Sequence, residues 1–306
     1  MDQLTRIFCA VDYSGPAQAA FDQALALSRE RSAELTVVHA IPKDQPFGRD
    51  ARKRIATIAA LRQAAEAAGV RFKVSVQYGN PAGVILLHAH ARRPDLVVIG
   101  THQRTGLERL STGSIAETVI LRAACPVLVV PAPAGGTVVK PPSSFENVLC
   151  SVDFSPASST ALRKALSLAK AGEGRVTLVH VVKNTSRTSA RFMSHFRVPE
   201  HQTQLAHDAW RRLQDAIPPA ERRPGRVHVR VVTGDPLEEI VGIAADVEAD
   251  VIVVGVASRN VIWRRIFGAT ATRLMRAAGC PVLAVPELSR WGAGSPTEQD
   301  AFDLAA

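Results

Sequence analysis

Short apolar runs alternate with longer amphipathic stretches along most of the chain. Leu96-Val-Val-Ile99 is β-branched and ends at Gly100, a pattern that predicts a short strand buried on both faces. A polar, glycine-bearing loop follows, and Gly113-Ser114 opens the amphipathic segment Ile115–Leu121, which reads as a helix. Cys125-Pro126 stops it, and Val127–Val130 is a second buried strand, closed by Pro131. The same reading gives further strands at Ile7–Val11, Leu35–Ile41 and Phe72–Val76. Helices fall near Ala17–Arg31, Arg49–Ala68, Ala82–Arg92 and Ser114–Ala123. Asn80-Pro81 and Asp235-Pro236 are helix starts, each with a capping side chain and a proline in the first turn. Strands alternating with helices predict a doubly wound α/β fold around a parallel sheet.

The pattern then repeats. Cys9-Ala-Val-Asp12-Tyr-Ser14 returns as Cys150-Ser-Val-Asp153-Phe-Ser155, and Leu35-Thr-Val-Val-His39 as Val176-Thr-Leu-Val-His180, both at an offset of 141. Gly100/Gly255, Gly113/Gly268 and Cys125-Pro126/Cys280-Pro281 recur at 155. The second copy has therefore gained 14 residues between its second and third strands. The expected domains are 1–132 and 146–288, joined by a Pro/Gly-rich linker at 133–145, with the insertion around 183–226 and a polar tail at 289–306. Within the insertion, Leu205, Ala209, Trp210, Leu213 and Ile217 read as one apolar helix face, ended by Pro218-Pro219.

The net charge of +9 raises the question of nucleic acid. Ten basic and four acidic residues crowd Lys183–Arg230, yet only 5% of the chain is aromatic and no recognition or stacking motif accompanies them. A solvated basic face accounts for the charge, and nucleic acid is not an expected partner. No signal-peptide pattern or membrane-length apolar run is visible, so the expected location is the cytoplasm, with no membrane contact. The four cysteines are explained by the duplication as buried neighbours of strands, and no CxxC pair suggests zinc. His88 and His90, two apart on a helix, do not share a face, so no metal site is expected. There is no Gly-x-Ser-x-Gly elbow, HExxH or lysine-bearing phosphate loop, so the chain is not read as an enzyme.

What remains is the loop after Ile99. It runs from the carboxyl end of a parallel strand to the amino end of a helix, where free N–H groups and the helix dipole favour an anion. Gly100, Thr101-His102, Gln103, nine residues and Gly113-Ser114 follow a spacing that resembles the nucleotide-binding signature of universal stress proteins, with Gln103 in place of the second glycine. The chain resembles a tandem universal stress protein. That resemblance implies two open, Rossmann-like parallel sheets of five strands, each in the order 3-2-1-4-5, with ligand at the switch point.

The resemblance also implies binding positions. In the first copy these are Asp12 near the adenosine, Ala40 near the base, and Gly100, Gln103, Gly113, Ser114 and Ile115 along the phosphates; in the second they are Asp153, Val181, Gly255 and Gly268. Asp12 and Asp153 have a plainer reading as caps of the next helix. ATP is the expected ligand, in the first copy rather than the second, where Ser258 replaces the second glycine and Ala269 the serine. Gln103 adds bulk where glycine would wrap a phosphate, which makes tight ATP binding by the unaltered chain unexpected. Three functions stay open: a stress-response protein that binds a nucleotide, a nucleotide-free interaction module, and a slow ATPase or nucleotide-dependent switch. Single domains of the family pair through their last strand, which implies an intramolecular pseudo-dimer here. A homodimer and a protein partner at the basic insertion are the other partners considered.

Overall fold

The computed structural model describes residues 4–43, 51–101, 115–132, 142, 144–170, 174–183, 198–257 and 268–287, with the backbone alone at 170, 198–202 and 268–270. Strand β1 (Arg6–Ala10) lies between β2 (Glu34–Ile41) and β4 (Leu96–Thr101); β3 (Phe72–Tyr78) pairs β2, and β5 (Val127–Pro131) pairs β4, all parallel. The second copy repeats the arrangement with β6 (Asn147–Ser151), β7 (Arg175–Lys183), β8 (Val227–Gly234), β9 (Val251–Val256) and β10 (Val282–Pro286). The two halves are not separate sheets. They form one ten-stranded sheet, β3-β2-β1-β4-β5-β10-β9-β6-β7-β8.

The seam is the antiparallel pair β5–β10. Val127 lies opposite Ala284, Leu128 opposite Leu283 and Val129 opposite Val282. Leu128 and Leu283 are also equivalent in the repeat, so the pseudo-twofold relation passes between them and the contact is isologous. Pairing the two edges within the chain satisfies N–H and C=O groups that an open edge would leave exposed.

Helices α1 (Gly15–Arg31), α2 (Ala51–Ala67), α5 (Pro156–Lys170) and α6 (Val198–Ala216) cover one face of the sheet; α3 (Pro81–Arg92), α4 (Ile115–Arg122), α7 (Pro236–Asp246) and α8 (Gly268–Ala277) cover the other. Each face has its own core, and each core runs through both copies. Phe21, Leu128, Leu162 and Leu213 belong to the first; Ile85, Val119, Ile240 and Leu274 to the second.

Two readings of the helices need correction. Helix α1 starts at Gly15 rather than Ala17, because the Ser14 hydroxyl accepts the Ala17 N–H and a proline occupies the first turn. Helix α6 buries Ala209 and Leu213, and Ile217 just beyond it, whereas Leu205 and Trp210 are exposed. Trp210 directly follows Ala209 and so points about 100° away from the buried stripe. The other two starts agree with their sequence signals. Asn80 accepts the Gly83 N–H, and Asp235 accepts those of Leu237 and Glu238.

Candidate functional site

Both copies build the same bracket at the carboxyl end of their first strand. The Asp12 carboxylate accepts the Ser14 N–H at 3.0 Å, and Asp153 accepts that of Ser155 at 2.9 Å. The helix caps themselves are Ser14 and Ser155, whose hydroxyls accept from Ala17 and Ser158. The aspartates therefore do not cap the helices; they brace the residue that does, and both stay exposed. Between aspartate and serine stand Tyr13 and Phe154, held at φ 66° and 62°. This left-handed backbone is strained for an aromatic residue.

A histidine from the second strand holds each bracket. His39 Nδ1 lies 2.8 Å from the Val11 carbonyl, and His180 Nδ1 lies 2.8 Å from that of Val152. A carbonyl only accepts, so Nδ1 donates its proton to it in both copies. The imidazoles also stack on the strained aromatics, with ring centroids 4.3 Å apart for Tyr13–His39 and 4.6 Å for Phe154–His180. In the second copy Arg212 of α6 covers the other side of Phe154, its guanidinium carbon 3.9 Å from the ring centroid. In the first, burial pushes the Tyr13 hydroxyl up to about 12, against the opposing charge of Arg54. The repeated histidine is visible in the sequence; its role is not, because it depends on strand pairing.

Gly100 and Gly255 have a demanding structural task. A Cβ on Gly100 would lie 2.2 Å from the Pro16 carbonyl oxygen, and one on Gly255 would lie 2.4 Å from the Ala157 carbonyl carbon. Both glycines let the start of a helix rest directly on a strand. Close packing of protein on protein explains them without any phosphate.

Around the second bracket the strand ends open into a cleft of ≈ 90 Å³. Asp153, His180 and Lys183 supply its ionisable lining, with Val181, Ile240 and Val254 among its apolar walls. Of the positions the resemblance implies for this copy, Asp153, Val181 and Gly255 all line the cleft, and Gly268 begins the helix that contributes Ala271. In the first copy, Asp12 is exposed, and Ala40 and Gly100 are half-buried at the corresponding strand ends. Ile115 opens α4 and is exposed. Gln103, Gly113 and Ser114 lie outside the described residues.

His88 and the cysteines, the other candidate groups among the described residues, are hydrogen-bonded or shielded by burial. His88 Nε2 lies 3.0 Å from the Ser75 hydroxyl, and burial lowers its pKa. Cys9, Cys125 and Cys150 are buried, while Cys280 is half-buried rather than buried as its sequence context suggests. Burial raises all four thiols, Cys280 to about 11, which leaves little thiolate for nucleophilic chemistry. No metal-holding cluster of His, Cys, Asp and Glu occurs among the described residues. No helix among them is long and apolar enough to cross a membrane.

Sequence reasoning missed a further pair. Asp95, just before β4, accepts the N–H groups of Thr5 and Arg6 at 2.8 and 2.9 Å; Asp250, just before β9, accepts those of Glu146 and Asn147 at 2.8 and 2.7 Å. These two aspartates recur at the same offset of 155 as the glycines, which is the signal that could have found them.

The chain is similar over 86 residues to a universal stress protein of Methanocaldococcus jannaschii, with 42% identity across 28% of this chain and 47% of that protein. The structure of a universal stress protein from Archaeoglobus fulgidus superposes with a TM-score of 0.67 at 20% identity, covering 93% of this chain and 97% of the other. That of a functionally unknown protein from Pseudomonas aeruginosa gives 0.62 at 15% identity, covering 99% and 96%. These two likenesses show the fold. The model of the universal stress protein family matches residues 3–131 and again 144–286. The chain belongs to the universal stress protein family and carries two such domains in tandem.

Proposed function

We propose that the protein is a cytoplasmic stress-response protein that binds a nucleotide without transforming it. The observation that carries this reading is the second-copy cleft, where Asp153, Val181 and Gly255 meet around one opening. Apolar walls suit a flat base, and a carboxylate suits ribose hydroxyls. The described residues fit the nucleoside end of such a ligand. The reading extends to the first copy through Asp12, Ala40 and Gly100, with Gln103, Gly113, Ser114 and Ile115 as its proposed phosphate side. The proposed domain limits remain 1–132 and 146–288. Slow ATPase activity is a variant of this reading, in which the bound nucleotide acts as a switch.

The test is to denature the purified protein and identify any released nucleotide, then to measure ATP, ADP and AMP binding by the emptied, refolded chain. Release or saturable binding of an adenine nucleotide is expected. Finding no nucleotide and no binding at millimolar concentration would overturn the reading. The second reading, a nucleotide-free interaction module, is favoured by Leu205 and Trp210, both exposed on α6. Exposed large apolar side chains on a basic insertion are suited to a protein partner.

A further inference from the structure

The two crevices share a frame but not their charges. Strand β7 ends at Lys183, on the lining of the second cleft. At the offset of 141 its counterpart in the first copy is Pro42. Lys43, the next residue, is engaged in an interaction of its own. Lys183 is the one lysine or arginine among the described residues lining the cleft. It is exposed, and its side chain has no ion-pair or hydrogen-bond partner among the described residues.

Two nearby acids have other work, and a third, Glu239, stands with its carboxylate against Gly234, the register neighbour of Lys183, without forming an ion pair with Lys183. Asp153 holds the Ser155 N–H. Asp235 caps α7, and its carboxylate lies 3.7 Å from the Arg273 guanidinium. Lys183 is thus a spare cation on the wall of a cleft, with three donors to offer. The first turns of α5 and α7, through Ser158 and Pro236, reach the same cleft. Their dipoles add positive potential at the cleft, a secondary contribution.

We propose that Lys183 makes the second crevice selective for ligands that carry a phosphate, favouring a phosphorylated nucleoside over the neutral nucleoside. This rests on the nucleotide reading above for the nucleoside part and on Lys183 alone for the anion. It places the chain's phosphate preference in the second domain, whereas the glycine–serine spacing directs attention to the first. Asp153 opposes a phosphate set close to it, so the bound anion sits on the Lys183 side and the uncharged part against Val181 and Ile240.

The experiment uses the isotopically labelled full chain, as wild type, Lys183→Gln and Lys183→Arg. Adenosine, AMP and inorganic pyrophosphate are titrated separately while the amide signals of 151–153 and 181–183 are followed. Wild type is expected to bind AMP about ten-fold more tightly than adenosine, the scale of one charge-assisted contact. Lys183→Gln should bring the two affinities together without changing that for adenosine, and Lys183→Arg should keep the preference. If neither adenosine nor AMP binds, but pyrophosphate shifts these amides in wild type and not in Lys183→Gln, the anion site stands and the nucleotide reading falls. An unchanged AMP preference in Lys183→Gln, or amides that ignore pyrophosphate in wild type, would overturn the proposal.

Discussion

A single missing methyl group sets how closely the first helix of each domain meets the sheet. Alanine at position 100 would force its Cβ to 2.2 Å from the Pro16 carbonyl oxygen and 2.9 Å from the Ala17 nitrogen, both backbone atoms that cannot swing aside. Gly100→Ala should therefore cost about 1–3 kcal/mol, the range for overpacking a tight site. Gly242 makes the contrast. It lies inside α7 and is exposed, with nothing within 4 Å of an added Cβ. Gly242→Ala should stabilise by about 0.5–1 kcal/mol by restoring helix propensity. Urea midpoints moving in opposite directions are expected, and a Gly100→Ala midpoint equal to wild type would contradict the packing account. Both Gly100 and Gly255 are conspicuous in the sequence as the residues that end buried runs. Their partners are not, since Pro16 and Ala157 lie far away along the chain and meet them only across the folded layer.

Between elements, the histidines on β2 and β7 tie the second strand of each domain to the loop after the first. His39 is the more buried of the pair. Its pKa is lowered mainly by burial, with Arg54 adding to the effect and the Val11 carbonyl and Asp12 opposing it. His88 on α3 is lowered too, by burial and then by Arg92. With folded values below the unfolded value of about 6.5, the unfolded chain takes up protons first as pH falls. The stability from keeping these rings neutral is present above about pH 6.5 and is lost as pH drops through the folded pKa values. Chemical denaturation between about pH 7.5 and 5.5 should show stability declining on the acid side. The slope should be shallower in the double variant His39→Gln, His88→Gln; an unchanged slope would mean that other groups govern it. The strands and helices themselves were largely legible, because apolar period and capping residues are local. The brackets and the Asp95 and Asp250 clamps were not, because each joins residues brought together only by strand order. The phosphate side of the first site, Gln103 to Ser114, stays a reading of sequence spacing.

At the scale of the whole molecule the seam decides whether this is one body or two. Val127, Leu128, Val129, Val282, Leu283 and Ala284 are each no more than 2% exposed. Their alternation places Leu128 and Leu283 in one core and the flanking residues in the other. Burying one such valine or leucine contributes about 1.5–3 kcal/mol. The partly exposed pair Arg276–Glu117, at 3.3 Å across the seam, adds less than about 1 kcal/mol. The two apolar cores, rather than charge, hold the halves together. The repeat and the family resemblance made the pairing legible, but not its register, because the apolar run at 127–130 has no polar alternation to fix it. The linker should then be dispensable once folding is complete, although Gln23 Nε2 donates to the Pro142 carbonyl at 2.8 Å and tethers the linker's end to α1. With a protease site placed within 133–141, the cleaved halves are expected to elute together at the mass of the intact chain. Leu128→Asp with Leu283→Asp puts two carboxylates against each other at the pseudo-twofold and should release the halves after the same cut, each still folded by circular dichroism. Separation of the cleaved but otherwise unaltered halves would show that the covalent link, not the shared sheet, keeps the domains joined.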